Sequence, residues 1–359
     1  MKNTLLILIF LVTLLLINGC TSESSDDNYI ITYHIDEQIV KLVSFKEKSE
    51  VTLLIPSKTG YDFIGWYNKK DVKINKIYSN KDYELWAKWE KSQPEGIYLS
   101  FDDVKLCFNN LATNNYDSLY DEPFFKKLKE LHEEYDIKVS LYTYNNVLDK
   151  LSDKYKDEFI EASDWLKVGF HSHKEGMSLA STNYDNAKAY WNSFVSNVIR
   201  VCGTVNSIDR YVRLEYFAGS LLALKGLTDA EYGALGFYSA DDNRNSYYFN
   251  DEMVNYLYYH DELLDKDNNI HFISTDIRLD WFYNFSTNNQ YREPLYDNVY
   301  DELEYRYNSD SFIASNKYIV VFTHEWLVYS GTIINTKFNS VIEVCDFAKD
   351  NLIEFKFKK

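Results

Sequence analysis

Beyond Gly96 the chain alternates short apolar runs of strand type with amphipathic helical stretches, and this alternation restricts the fold more than any other feature. Strand candidates are Ile97 to Phe101, Ile137 to Tyr142, Leu166 to Phe170, Tyr211 to Leu214, Leu235 to Ser239, His271 to Thr275 and Tyr318 to Thr323. Between several of them the period changes to that of a helix. Asp121 and Pro123 mark a helix start, after which Phe124, Leu128, Leu131 and Tyr135 recur on one face. Further helices are predicted at Ser152 to Ala162, Tyr184 to Arg200 and Asn339 to Leu352. Strands joined through helices run parallel, so about seven such units imply a curling parallel sheet: a TIM-type barrel with fewer strands, or an open sheet.

In folds of this kind functional side chains sit just past the carboxyl ends of strands. Five of the predicted strands end in titratable groups: Ser100-Phe101-Asp102-Asp103, Phe170-His171-Ser172-His173-Lys174-Glu175, Arg213-Leu214-Glu215, Thr275-Asp276-Ile277-Arg278 and Thr323-His324-Glu325-Trp326. An Asp-Asp pair after a strand is usually a turn, and a lone histidine there is usually structural. Their recurrence in register points to one functional rim.

Before Gly96 the pattern is all strand and turn. Ile30 to Ile35, Val51 to Ile55 and Tyr83 to Trp89 are strand-like, so residues 29–91 read as a small all-β module. Ser92-Gln93-Pro94-Glu95-Gly96 links it to the α/β domain at 97–359. Trp66, Trp86 and Trp89 suit a mini-core better than a ligand platform. The start, Met1-Lys2 followed by an apolar run from Leu5 to Ile17, is too short for an ordinary membrane span and reads as a signal peptide over residues 1–19. Ile17-Asn18-Gly19-Cys20 resembles the bacterial lipobox, which implies lipid on Cys20, a polar tether over 20–28 and a place on the outer face of the membrane.

A chain of 359 residues, 45% of them hydrophobic, supplies a sizeable core and suggests two domains. The net charge of -17 disfavours nucleic acid as a partner, because affinity for phosphate backbones comes from Lys and Arg releasing counterions. Apart from Cys20, the cysteines Cys107, Cys202 and Cys345 are odd in number, lack metal-type spacing and read as core residues. His34, His132 and His260 have no partner by spacing and read as structural.

Two resemblances add to this reading. Gly60-Tyr61-Asp62-Phe63-Ile64-Gly65-Trp66-Tyr67 and Tyr83-Glu84-Leu85-Trp86-Ala87-Lys88-Trp89 resemble the Listeria-Bacteroides repeat, the β-grasp-like B repeat of internalin-type surface proteins. That implies a stalk or an interaction module with a cell-wall or surface partner. From Gly96 onward the ordered strand-end motifs resemble the polysaccharide deacetylase (NodB-homology) family, which implies a distorted (β/α)7-type barrel that removes acetyl groups from glycans with a divalent metal, zinc first and cobalt or manganese otherwise.

Carried over position by position, the resemblance implies Asp102 as general base and Asp103 as metal ligand. It places His171 as a second ligand and Glu175 where a further histidine is expected, with His173 as a rival. Arg213 would pair with the base and hold its pKa low, Asp276 would orient the last histidine, and His324 would be the general acid. The segment Arg213-Leu214-Glu215-Tyr216-Phe217 keeps only the arginine of the family's third motif. Tyr216 and Trp326 are candidates for stacking on a sugar, and Asp242 and Arg244 for lining its groove, each against a bland alternative of core packing or a solvated turn. Two other functions stay open: a catalytically silent glycan-binding or adhesion protein on the same scaffold, and a glycoside hydrolase using a pair such as Glu215 and Glu325.

Overall fold

The computed structural model describes residues 28–36, 38–46, 51–58, 61–77, 81–240, 246–283, 294–309 and 318–359. Cys20 with its signal segment, Gly60, Asp242 and Arg244 lie outside these residues. The chain divides into two compact units, the second holding 58–62 and everything from Lys91 onward.

In the first unit, strands β1 (Asn28–Ile35), β2 (Gln38–Lys46), β3 (Tyr61–Tyr67) and β4 (Tyr83–Lys91) form one sheet in the order β2-β1-β4-β3. β1 and β2 are antiparallel, whereas β1 and β4 are parallel. Ile31, Tyr33, Phe45, Trp66, Tyr83 and Leu85 make its core, with Trp66 buried and its indole N–H donating to the Leu54 carbonyl at 2.6 Å. Trp86 stacks on His34 and Trp89 meets Phe63 edge-on, so all three tryptophans pack. The expected strand at Val51 to Ile55 is not part of the sheet; its Leu54 carbonyl is used by Trp66 instead.

The second unit is built on β5 (Gly96–Val104), β6 (Val139–Tyr144), β7 (Leu166–Ser172), β8 (Ile208–Asp209), β9 (Tyr211–Val212), β10 (Gly236–Tyr238), β11 (Glu262–Asp265), β12 (Ile270–Ile273), β13 (Ile277–Arg278) and β14 (Tyr318–His324). Six of these pair in the order β13-β14-β5-β6-β7-β8, and four in the order β11-β12-β10-β9. β8 runs into β9 across Arg210, and β12 into β13 across 274–276, so the two sheets share both edges and close a ring of seven strand positions. This is the (β/α)7-type barrel, distorted at two seams and flanked by β11, antiparallel to β12.

The seams are stitched by carboxylates: Asp209 accepts from the Tyr211 N–H at 2.9 Å, and Asp276 from the Val320 N–H at 2.8 Å. Helices α1 (Leu106–Asn114), α2 (Pro123–Tyr135), α3 (Asn145–Leu148), α4 (Lys156–Glu161), α5 (Tyr184–Cys202), α6 (Leu221–Thr228), α7 (Asp251–Tyr259), α8 (Val299–Asn308), α9 (Glu325–Val328) and α10 (Asn339–Asp350) accompany the strands.

Alternation along each strand sorts the side chains into two layers. Ile97, Leu99 and Phe101 of β5 face the helices with Phe124, Phe125 and Leu128 of α2, whereas Tyr98 packs inside the barrel with Tyr142, Tyr211, Tyr238 and Tyr318. α2 is started by Glu122, whose carboxylate accepts from the Phe124 and Phe125 N–H groups, with Pro123 at the first helical position where no N–H is needed. Cys107, Cys202 and Cys345 are buried and free.

Candidate active site

The aromatic floor of the barrel carries a polar layer, and above it a cavity of about 450 Å³ opens at the carboxyl ends of the strands, lined among others by Asp102, Asp103, Tyr144, His171, Glu215 and His324. Asp102, two residues before the end of β5, is the register partner of His324, the last residue of β14. The ladder between β5 and β6 slips between Phe101 and Val104, and Asp103 there adopts a left-handed backbone with φ 56°. In a regular strand adjacent side chains point to opposite faces; the bulge brings both carboxylates to the same cavity.

Asp102 is fully buried, with the Arg213 Nε 3.3 Å from its Oδ1. Arg213 is itself held by Thr275 at 2.9 Å and by the faces of Tyr238 and Phe322. The expectation that Arg213 keeps the Asp102 pKa low fails. Burial pushes it above the usual carboxylate range, and Arg213, His171 and His324 only partly offset that rise. The contact also lacks hydrogen-bond alignment, since neither the Arg213 Nε nor the Asp102 Oδ1 has a hydrogen-bonding partner.

Asp103 receives a hydrogen bond from the Tyr144 hydroxyl and one from the Trp326 indole at 3.1 Å, with the His171 Nε2 at 3.3 Å and the His324 Nε2 at 3.8 Å. Burial alone would raise its pKa, but His171, His324 and the Tyr144 hydrogen bond outweigh burial and bring it below the usual range. His171 donates from Nδ1 to the Arg213 carbonyl at 2.6 Å, which fixes the tautomer and turns Nε2 toward Asp103. Its pKa is raised; burial opposes this, and Asp103 and Asp102 prevail.

His324 meets Asp280, not the expected Asp276, through Nδ1 at 2.5 Å. Asp280 also accepts from the Thr323 hydroxyl at 2.8 Å and the Arg278 Nε at 3.3 Å. Its pKa is brought down to about 2 because His324, Arg278 and Thr323 outweigh burial. His324 is raised in turn, Asp280 prevailing over desolvation. The physical reason for the correction is the broken sixth strand: it stops at Ile273 and resumes at Ile277, so Asp276 lies at a seam and the carboxylate past the true strand end is Asp280.

The remaining ligand candidates separate. β7 ends at Ser172 and the chain turns, which carries His173 away to stack on Tyr190 of α5 at 4.2 Å. Glu175 lines the cavity, but its carboxylate is exposed and paired with Lys105. Among the described residues no group of three or more His, Cys, Asp or Glu is assembled to hold a metal ion. Asp103 and His171 stand together as donors. A catalytic divalent ion ordinarily takes three protein ligands, so the donors as placed do not complete the expected metal site.

Glu325, half of the alternative carboxylate pair, points elsewhere. It accepts from the backbone N–H groups of Lys105, Leu106 and Cys107 at 2.7 to 2.8 Å and so caps α1. Glu215 lines the cavity and holds the Gly176 and Met177 N–H groups, and burial raises its pKa. Tyr216 lies on the cavity wall, exposed, with φ 60°, and is followed by Phe217 at φ 50°. Two successive left-handed residues other than glycine are strained. Trp326 is half-exposed, donates to Asp103 and stacks on His324 at 5.2 Å.

Sequence reasoning missed Tyr144 and Asp280. Tyr144 is the last residue of β6, so the strand-end rule would have reached it had tyrosine been counted among titratable groups.

Comparison with curated protein sequences returned no match. The family model of the Listeria-Bacteroides repeat domain matches residues 29–88, over the segments that carry that resemblance in the sequence. Among solved structures the chain is similar to a protein assigned as a polysaccharide deacetylase from Mycobacterium smegmatis, with 14% identity, TM-score 0.40, and coverage of 72% of this chain and 85% of that one. It is also similar to the catalytic domain of a peptidoglycan N-acetylglucosamine deacetylase from Eubacterium rectale, with 14% identity, TM-score 0.32, and coverage of 75% and 91%. A third is a mutant of a CE4 family pseudoenzyme with restored enzymatic activity, at 9% identity, TM-score 0.32, and coverage of 76% and 75%. Two of these are described as deacetylases and the third as a CE4 family pseudoenzyme.

Proposed function

We propose that the mouth of the barrel hydrolyses the acetyl group of an N-acetylated cell-wall or surface polysaccharide. One observation carries this reading: Asp102 and His324, partners across adjacent strands, face one cavity, the first beside Arg213 and the second fixed by Asp280. Amide hydrolysis needs a base to take a proton from water and an acid to give one to the departing amine. Burial makes Asp102 a stronger base than a solvated carboxylate, and Asp280 favours the imidazolium of His324, so the two groups suit opposite roles near neutral pH. Tyr216 and Trp326 offer ring faces at the edge of the site for a pyranose.

A divalent ion joins this reading only with a third donor beside Asp103 and His171, and Glu175 can serve only by leaving Lys105. Lipid on Cys20 and a surface partner for the β module would place the barrel beside such polymers at the outer membrane face. The intact chain, given chitooligosaccharides or peptidoglycan with added zinc, cobalt or manganese, should release acetate, and Asp102→Asn should abolish the release. Undiminished release by that variant would overturn the mechanism.

The pairing of Glu175 with Lys105 favours a second reading, a glycan-binding protein without turnover. Saturable sugar binding with no acetate, with or without metal, would establish it. The glycoside hydrolase reading loses its second carboxylate, because Glu325 is spent on capping α1.

A further inference from the structure

A second cavity lies at the opposite end of the barrel from the candidate active site. It measures about 890 Å³ and lies at the amino ends of the strands. Six cationic side chains line it, Lys138, Lys167, Arg210, Lys356, Lys358 and Lys359, against three carboxylates, Glu95, Asp164 and Glu354. In a chain of net charge -17 this is a local reversal of sign.

The topology produces it. Lys138 immediately precedes β6, Lys167 is the second residue of β7, and Arg210 sits in the seam between β8 and β9, so three neighbouring strand positions each carry a cation near the amino end. The segment 356–359 then lies along the same cavity. Lys358 is taken by Glu262 and the Tyr318 hydroxyl, and Lys356 by Glu354. Lys138, Lys167 and Arg210 form no ion pair among the described residues. Arg210 spends its Nε on the Gly233 carbonyl, at 2.8 Å, and keeps the rest of its fork.

We propose that this basal cavity binds the phosphate group of a small phosphate ester, such as a glycerol or sugar phosphate unit. Grouped cations repel one another and lose hydration, and an anion with several acceptor oxygens reverses both costs. Burial lowers the pKa of Lys167; the nearby Asp209 opposes that fall, and the neighbouring cations Lys138 and Lys359 add to it. Arg210 and the lysines match phosphate, which accepts several donors at once. Tyr98, Tyr318 and Phe357 supply apolar walls for the carbon skeleton, and the Lys167 Nζ lies 4.5 Å from the Phe357 ring centre. A membrane surface fits less well: the cations are recessed and interspersed with carboxylates, whereas binding in the interface plane uses a projecting apolar face.

The test is calorimetric titration of the intact chain at low ionic strength with inorganic phosphate and with glycerol 1-phosphate, alongside flotation with phosphatidylglycerol vesicles. Saturable binding of the ester, tighter than that of phosphate, is expected. Lys138→Gln with Lys167→Gln should weaken it by about tenfold or more, as expected for the loss of charge-assisted hydrogen bonds. Chemical acetylation of the unmodified protein read by mass spectrometry gives a check without variants, since the ester should protect Lys138 and Lys167. Absence of binding, binding indifferent to the double variant with both lysines unprotected, or binding to vesicles alone would overturn the proposal.

Discussion

Replacing Asp280 with asparagine keeps the shape of the site and removes the charge that faces His324. The His324 Nδ1 lies 2.5 Å from the carboxylate, and both groups are largely buried. The pKa of Asp280 is displaced from 3.8 to about 2. At 1.36 kcal/mol per unit this corresponds to about 2 kcal/mol of interactions that favour the charged carboxylate, His324 foremost. Without that charge, burial dominates and the His324 pKa should fall.

The sign of the linkage follows from the two shifts. The depressed Asp280 contributes stability above its unfolded pKa, and this is lost as pH falls through about 2 to 4. The raised His324 contributes stability below its unfolded pKa near 6.5, and this is lost as pH rises through its higher folded value. The difference in melting temperature between the native protein and Asp280→Asn should therefore be greatest near pH 5 and shrink on either side. Proton NMR of the imidazole resonances gives the His324 titration without any substrate. An unchanged titration in Asp280→Asn, or a larger change in Asp276→Asn, would refute the pairing.

Four further outcomes are expected. Glu325→Ala should strand three backbone N–H groups at the start of α1, at about 1 to 3 kcal/mol for each one left unsatisfied, and thermal unfolding would show it as a large fall in Tm. Gly169→Ala should destabilise the barrel by about 1 to 3 kcal/mol, because its Cβ would lie 2.3 Å from the Tyr142 ring; an unaltered denaturation midpoint would contradict the packing. If the active form holds a metal through Glu175, elemental analysis should find the metal lost in Glu175→Ala and kept in His173→Ala. If acetate is released, the acid limb of its pH profile should lie above the usual carboxylate range and disappear on replacing Asp102, since burial raises that pKa.

The hydrophobic periodicity carried the sevenfold repetition of strands, because strand and helix periods are properties of local sequence. The same holds for Asp102, Asp103, His171 and His324, whose places follow from where strands end. What lies between strand ends was decided by tertiary structure. A break in the sixth strand spent Asp276 on the Val320 N–H and put Asp280 against His324. A turn after Ser172 sent His173 to Tyr190, and Lys105 claimed Glu175. Glu325, one residue past His324, went to a helix start. Spacing along a chain fixes which face a side chain takes within one element; which distant backbone or charge it then satisfies depends on how the elements close into a barrel. Only that closure sets Asp102 and His324 together at one end and a cluster of cations at the other.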